Sequence, residues 1–168
     1  MLEKINEQHL PVHITLLGAG NSEYGKIILD KCKAYSELHH NLTYYTGKIV
    51  YQDEFDRQMD DCHFIFIPSV INTIIDDNIE ETYGLTKSSG NIFDAIKHGK
   101  PMIIPAGLTI NTDLESGVKK YASLNNLVDF LQKMVSQPQD YIEIASDALN
   151  NSGEYTIEKC RQKINDLL

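Results

Sequence analysis

The sequence has no long apolar run, since no stretch approaches the roughly 20 residues that a helix needs to cross a bilayer. Its first seven residues also lack the basic region and apolar core of a signal peptide. Apolar residues make up 42% of the 168 residues and charged residues 23%, which is ordinary for a globular domain. These features predict one domain over residues 1–168 and a cytoplasmic location.

Cysteine is scarce and poorly spaced for metal or disulfide chemistry. Cys32, Cys62 and Cys160 are far apart, and none lies in a CxxC motif or at ligand spacing from a histidine. The neighbouring His39 and His40 do not converge on one ion, because adjacent side chains on a helix diverge. We therefore expect free thiols in a reducing compartment and no metal site.

Positive charge is also in short supply. Lysine and arginine total 15 against 24 for aspartate and glutamate, which gives a formal charge of −9. Such a surface repels phosphate backbones and argues against general nucleic-acid binding. One local phosphate site stays compatible with this charge, because it depends on backbone N–H groups and a few nearby cations.

Strand and helix patterns alternate along the chain. Short β-rich apolar runs predict strands over residues 12–17, 41–46, 63–67, 101–105 and 118–121. Helical spacing predicts helices that end near residue 10 and that cover residues 23–37, 53–60, 89–98, 124–135, 140–149 and 156–168. Ser123 and Thr156 stand at expected N-cap positions. The alternation is typical of an α/β fold, a Rossmann-like doubly wound parallel sheet with helices on both faces.

Two details of this pattern are specific enough to test. The helix over residues 89–98 is expected to pack through Ile92, Phe93 and Ile96 and to end at Gly99. Residues 70–87 show no clean period and predict a long loop or a broken helix. Within that stretch, Asp76 and Asp77 are expected to form a solvated acidic face.

Ligands of a doubly wound sheet bind at the carboxyl ends of its strands. The first such end, Gly18-Ala19-Gly20, is half of the dinucleotide fingerprint GxGxxG, but Glu23 replaces the third glycine. No acid follows the second strand, where a dinucleotide ribose would need one. A dinucleotide-binding domain is therefore the weaker interpretation, and the absence of GxxxxGK[ST] excludes a P-loop. No defensible Ser-His-Asp constellation is present.

The most specific pattern runs from Phe64 to Gly107. An apolar strand ends at Pro68-Ser69, a glycine-containing loop leads to Ser88-Ser89-Gly90-Asn91 and a helix with Asp94, and Gly99-Lys100-Pro101 precedes another strand. This order resembles the C-terminal, donor-binding domain of retaining glycosyltransferases of the GT-B fold, group 1 type. Gly18-Ala19-Gly20 and residues 45–50 fit the same family, so the likeness covers nearly the whole chain.

The resemblance implies a site for a nucleotide-diphosphate sugar. A helix N-terminus offers unpaired N–H groups and the positive end of a dipole to the phosphates. The diphosphate would lie against Lys87, Ser88, Ser89, Gly90 and Asn91, and the ribose against Asp94. The base would contact Gly47, Lys48, Ile49 and Val50, and the cleft would be lined by Gly18, Gly20, Ser69 and Thr86.

The sequence departs from the family at the first of its two motif glutamates, where Thr86 stands, and Asp94 replaces the second. The resemblance also implies a fragment, inactive alone, whose partner is an N-terminal acceptor-binding lobe of the same protein. That lobe could bring the protein to the inner face of the membrane for surface polysaccharide synthesis. No cofactor or metal is expected. Two alternatives stay open: a GT-B nucleotide-sugar epimerase, and a non-catalytic nucleotide-binding or partner module.

Overall fold

The computed structural model describes residues 1–18, 20–47, 49–75 and 78–167. Lys48, predicted to contact the base, and the acidic pair Asp76 and Asp77 therefore lie outside the described residues. The chain is an α/β protein that divides into two compact units, Met1–Asp61 and Cys62–Leu168.

The first unit alternates helices with two short parallel strands. Its elements are α1 (Leu2–Glu7), β1 (Ile14–Leu16), α2 (Glu23–Ser36), β2 (Leu42–Tyr44) and α3 (Gln52–Asp61). Ile14 pairs with Leu42 and Leu16 with Tyr44. The helices and strands predicted for this part of the chain are present. Both strands are shorter than predicted, because the runs of residues that favour β-structure are longer than the segments that pair.

A polar network joins the helices of the first unit. The Tyr35 hydroxyl on α2 donates to the Asn41 side-chain carbonyl over 3.1 Å. The Asn41 amide in turn donates to the Asn6 carbonyl on α1 over 3.0 Å, and the Asn6 amide donates to the Tyr35 hydroxyl. These bonds satisfy three partly buried polar side chains together, which fixes α1 against α2 more specifically than apolar contacts would.

The second unit carries a three-stranded parallel sheet. Its elements are β3 (Ile65–Phe66), β4 (Asn72–Ile75), β5 (Ile79–Thr82), α4 (Gly90–Lys97), β6 (Met102–Pro105), a 3₁₀ helix (Thr112–Gly117), β7 (Val118–Tyr121), α5 (Leu124–Ser136), α6 (Pro138–Gly153) and α7 (Ile157–Asn165). The strand order is β3-β6-β7. The central strand β6 is almost wholly buried, as its continuous apolar run predicts.

The core of the second unit is built from that sheet and the helices around it. Ile104 on β6 and Leu127 and Val128 on α5 are fully buried. Gly117 lies so close to α6 that a Cβ there would stand 2.8 Å from the Cα of Ala148. Two small residues therefore allow the 3₁₀ helix and α6 to pack backbone to backbone.

The helix ends show which predictions about caps were correct. Ser123 accepts a hydrogen bond from the Asn126 amide, and Thr156 accepts one from the Lys159 amide, so both predicted N-caps are confirmed. Gly99 follows α4 with a φ of +58°, as its predicted stop role requires. The predicted packing face of α4 is wrong at Phe93, which is exposed, because Ala95 takes the buried position.

Within residues 70–87, the strands β4 and β5 pair antiparallel, so the prediction of a long loop or broken helix is wrong. In the hairpin, β4 pairs with β5 and places Thr73 opposite Glu81 and Ile74 opposite Glu80. The β-branched residues of β4 favour a strand. The acidic residues of β5 obscured that pattern in the sequence, since neither face of this strand is uniformly apolar. The predicted doubly wound sheet stays a prediction.

Candidate functional site

The predicted site residues fall in both units. Gly18, Gly20, Gly47, Ile49 and Val50 belong to the first unit, while Ser69, Thr86 and the run from Lys87 to Asp94 belong to the second. The structure brings the diphosphate and ribose candidates together at one place, the start of α4. Both groups were predicted from a single helical pattern, so this proximity follows directly from the helix.

The N-terminus of α4 is open. Ser89 is the N-cap residue, is only 7% exposed, and does not use its side chain to cap the helix. Gly90 follows at the first helical position and is exposed, and a Cβ built on it would meet no atom within 4 Å. Ser88 and Asn91 are exposed on either side. The cap residue therefore supplies no side-chain acceptor to the first amides of this helix, and the space at the Gly90 Cβ position is open.

Asp94 lies one turn into α4 and is half-buried. Among residues 1–18, 20–47, 49–75 and 78–167, no hydrogen bond or ion pair engages its carboxylate. A half-buried carboxylate without such a partner has its acceptor sites available. It can accept two hydrogen bonds from a pair of neighbouring hydroxyls.

Lys87 is already engaged by the hairpin. Its ammonium contacts the Glu81 carboxylate at 2.7 Å and lies 5.4 Å from the centre of the Tyr83 ring. The hydrogen bond that the Lys87 ammonium donates to the Glu81 carboxylate raises the pKa of Lys87. The predicted phosphate-binding lysine is therefore charged, and a carboxylate of its own chain occupies the place an anion would take.

Thr86 stabilises the loop that leads to α4. Its hydroxyl accepts a hydrogen bond from the Thr82 amide over 2.8 Å, and its own amide donates to the Thr82 carbonyl over 2.9 Å. Gly84 in the same loop has a φ of +86°, and a Cβ there would lie 2.2 Å from the Thr109 carbonyl oxygen. The loop is thus fixed by close backbone contact, and the residue in the place of a motif glutamate serves its geometry.

Gly20, predicted to line the cleft, is a packing residue. A Cβ on Gly25 in the first turn of α2 would stand 2.7 Å from the Gly20 Cα, and one on Gly20 would meet the Leu29 side chain at 2.8 Å. Gly18 is exposed with no such neighbours. The sequence spacing alone does not predict this contact, because it depends on where the chain turns after β1.

The remaining predicted residues are distributed more loosely. Gly47 and Ile49 are exposed, with Ile49 at 70%, and Val50 is half-buried. Ser69 is half-buried and lies three residues beyond the end of β3. These positions leave apolar surface available beside Gly47, and no hydrogen bond within the described residues defines a base site there.

Sequence reasoning missed one charged cluster in the first unit. Glu54 accepts hydrogen bonds from the Arg57 guanidinium at 2.7 Å and 3.0 Å, from the Gln58 amide and from the Tyr45 hydroxyl. Arg57, Tyr45 and Gln58 together lower the pKa of Glu54 to about 2. The spacing of Glu54 and Arg57 on one helix was a readable signal for the pair, whereas the contribution of Tyr45 depends on the fold.

Within the described ranges, no group of three or more histidine, cysteine, aspartate or glutamate side chains could hold a metal ion. No helix in the same ranges combines the length and apolarity needed to cross a membrane. No protein-family model matches the chain, and no curated protein does so either. The start of α4 and the residues beside it are therefore the structural basis for a functional proposal.

Proposed function

We propose that this chain is the donor-binding domain of a retaining GT-B glycosyltransferase, with a doubly wound sheet of the Rossmann type. It would bind a nucleotide-diphosphate sugar for transfer of the sugar to a glycan, lipid or protein acceptor. The proposal rests on the resemblance of residues 64–107 to that family and on the geometry at the start of α4.

The observation that carries the proposal is the open start of α4 with Asp94 one turn further along. A plugged helix start, or an Asp94 turned fully to bulk water, would contradict it. Gly90 has open space in front of its backbone, and Asp94 is half-buried with no partner among the described residues. Diphosphate oxygens can accept hydrogen bonds from the first amides of α4, and the ribose hydroxyls can donate to Asp94.

Lys87 would contribute only after a rearrangement. The diphosphate would have to displace Glu81 from the Lys87 ammonium, whose contact with that carboxylate is 2.7 Å long. This exchange replaces one anion with another of higher charge. This ion pair is only partly buried, so solvent screens it enough for such an exchange.

In the proposed reaction, the protein acts mainly by electrostatics. Fixed N–H groups and Lys87 stabilise the charge that develops on the departing diphosphate, without a metal ion in this domain. By resemblance, the anomeric configuration is retained. An N-terminal acceptor-binding lobe completes the site, and the setting is surface polysaccharide synthesis in the cytoplasm, at the inner face of the membrane.

Calorimetric titration of UDP and GDP into the chain tests the donor site. We expect one of them to bind and Asp94→Ala to weaken that binding about tenfold, because a charge-assisted bond to the ribose is lost. Asp129→Ala is the matched control, since Asp129 is an exposed helix acid on α5 and the net charge changes equally. Absence of binding, or equal losses in both variants, contradicts the proposal.

A non-catalytic module is the second candidate function, and Thr86 favours it. The family commonly has a glutamate for the transferred sugar at this place, whereas the Thr86 hydroxyl is committed to the Thr82 amide. A module of this type would bind the nucleotide without discriminating the sugar. Equal affinities for UDP and for a UDP-sugar would support this second candidate, and tighter binding of the UDP-sugar would support the transferase.

A further inference from the structure

A groove in the first unit lies apart from the predicted donor residues. It has a volume of about 230 Å³ and is lined by Lys26, Leu29, Asp30, Lys33, Tyr44 and Thr46. We call it the α2–β2 groove, because its walls are one face of α2 and the end of β2. No residue of this set belongs to the predicted donor site, so the inference does not rest on the proposed function.

The fold brings these side chains together for simple geometric reasons. Lys26, Asp30 and Lys33 are spaced by four and then three residues, which places them on one face of α2. The two lysines are about 10 Å apart along the helix axis. Tyr44 shares a face of β2 with the buried Leu42, and α2 packs on this strand.

The polar groups around the groove are uncommitted. In the part of the chain that the structure describes, neither the Lys26 nor the Lys33 ammonium pairs with a carboxylate, although Asp30 lies between them. The hydroxyls of Tyr44 and Thr46 make no hydrogen bond to other described residues either. In a chain of formal charge −9, two unpaired cations beside two free hydroxyls form a local positive site.

We propose that the α2–β2 groove binds a small organic phosphate that carries hydroxyl groups, such as a phosphorylated sugar. The ammonium groups of Lys26 and Lys33 contact the phosphate oxygens, and the Tyr44 and Thr46 hydroxyls donate to them. Asp30 accepts hydrogen bonds from the ligand's hydroxyls, which a bare phosphate ion cannot supply in the same way. Leu29 contributes an apolar surface for the carbon skeleton.

The size of the groove limits the ligand. Sites for drug-sized ligands occupy about 300–1,000 Å³. The α2–β2 groove, at about 230 Å³, is smaller than that range. It therefore suits one phosphate with a carbon chain of sugar length better than a complete nucleotide sugar.

Titration of ribose 5-phosphate into the isotopically labelled chain tests the proposal, with inorganic phosphate and ribose as separate arms. We expect amide shifts confined to α2 and residues 44–46, and tighter binding of ribose 5-phosphate than of either separate compound. Lys33→Gln should weaken binding about tenfold, because a charge-assisted contact to phosphate is lost. Lys31→Gln is the matched control, since Lys31 is an exposed lysine on the same helix outside the groove, and it should change affinity less than about twofold.

Two further variants separate the parts of the proposal. Asp30→Ala should reduce the advantage of ribose 5-phosphate over inorganic phosphate, because the acceptor for the sugar hydroxyls is gone. Asp94→Ala should leave this binding unchanged, so failure of the donor site and failure of the groove are distinguishable. Equal losses in Lys31→Gln and Lys33→Gln, shifts centred on Gly90, or no saturable binding would overturn the proposal.

Discussion

The two glycine-marked helix starts of this protein have opposite surroundings. At the start of α2, the Ser22 hydroxyl accepts a hydrogen bond from the Gly25 amide over 2.9 Å, and Gly25 packs against the Gly20 backbone. At the start of α4, the Ser89 side chain makes no capping hydrogen bond, and a Cβ built on Gly90 would have no neighbour within 4 Å. The first start has a side-chain acceptor from its cap residue and a close backbone neighbour, whereas the second has neither of these contacts.

This difference shows that a glycine near a helix start does not by itself indicate a ligand site. Gly25 is required because another segment of backbone comes within van der Waals distance of it. No other part of the described chain requires a glycine at position 90. Because Gly90 has no side chain, a ligand can approach its backbone closely. The proposed donor site therefore lies at the start of α4, whereas Gly20 packs against Gly25 and Leu29.

Substitution of alanine for Gly25 and for Gly90 should give the largest difference between the two helix starts. Gly25→Ala should lower the free energy of unfolding by about 1–2 kcal/mol, because the new methyl group would overlap the Gly20 backbone, which cannot rotate away. Gly90→Ala should leave stability unchanged or raise it by up to about 1 kcal/mol, since alanine favours a helix over glycine. Urea denaturation of each variant measures both values.

Gly153→Ala is a suitable control for this pair, because Gly153 lies in α6 and also has open space around its Cβ position. Nucleotide affinity should fall in Gly90→Ala alone, since only there does the methyl group enter the proposed diphosphate position. A Gly90→Ala protein that unfolds as readily as Gly25→Ala would show that the start of α4 is not open.

A smaller effect is expected at Ser22 and Ser89, the N-cap residues of α2 and α4. Ser22→Ala should cost about 1 kcal/mol of stability, because the Gly25 amide loses its acceptor. Ser89→Ala should cost less than about 0.5 kcal/mol, since no helix amide depends on the Ser89 hydroxyl. Thermal unfolding followed by circular dichroism measures the difference. Equal losses would mean that Ser89 caps α4 in solution.

Caps of this kind were among the features that the sequence could predict. Ser123 and Thr156 were identified because an N-cap depends on only a few neighbouring residues, and the structure confirms both. The apolar run that became β6 was equally readable, since a buried parallel strand needs no alternation. Helix caps and a fully buried strand are thus the features of this fold that could be predicted most directly from the sequence.

Contacts between residues that are distant in the sequence could not be predicted in this way. The close approach of Gly20 and Gly25 depends on where the chain turns after β1, and the ion pair of Lys87 with Glu81 requires a hairpin that the pattern over residues 70–87 did not predict. Both contacts involve residues of the predicted site, since Gly20 was predicted to line the cleft and Lys87 to bind phosphate, and both roles stay predictions. The start of α4 was located correctly, since its position follows from helical spacing alone.

The smallest expected effect concerns the ion pair beside the open start of α4. Glu81→Gln should raise the affinity for the bound nucleotide about two- to fivefold, because the Lys87 charge no longer pairs with a carboxylate of the hairpin. Glu80→Gln is the matched control, since Glu80 is exposed and lies on the opposite face of β5. It removes the same charge without touching Lys87.

Titrations of both variants at two ionic strengths complete this test. A gain confined to Glu81→Gln means that Glu81 competes with the ligand for Lys87. This gain should shrink in salt, because screening weakens the partly exposed pair. An equal gain in Glu80→Gln would instead reflect the net charge of the hairpin. In that case Lys87 takes no direct part in phosphate binding, and the affinity of the α4 start comes from its backbone amides and Asp94.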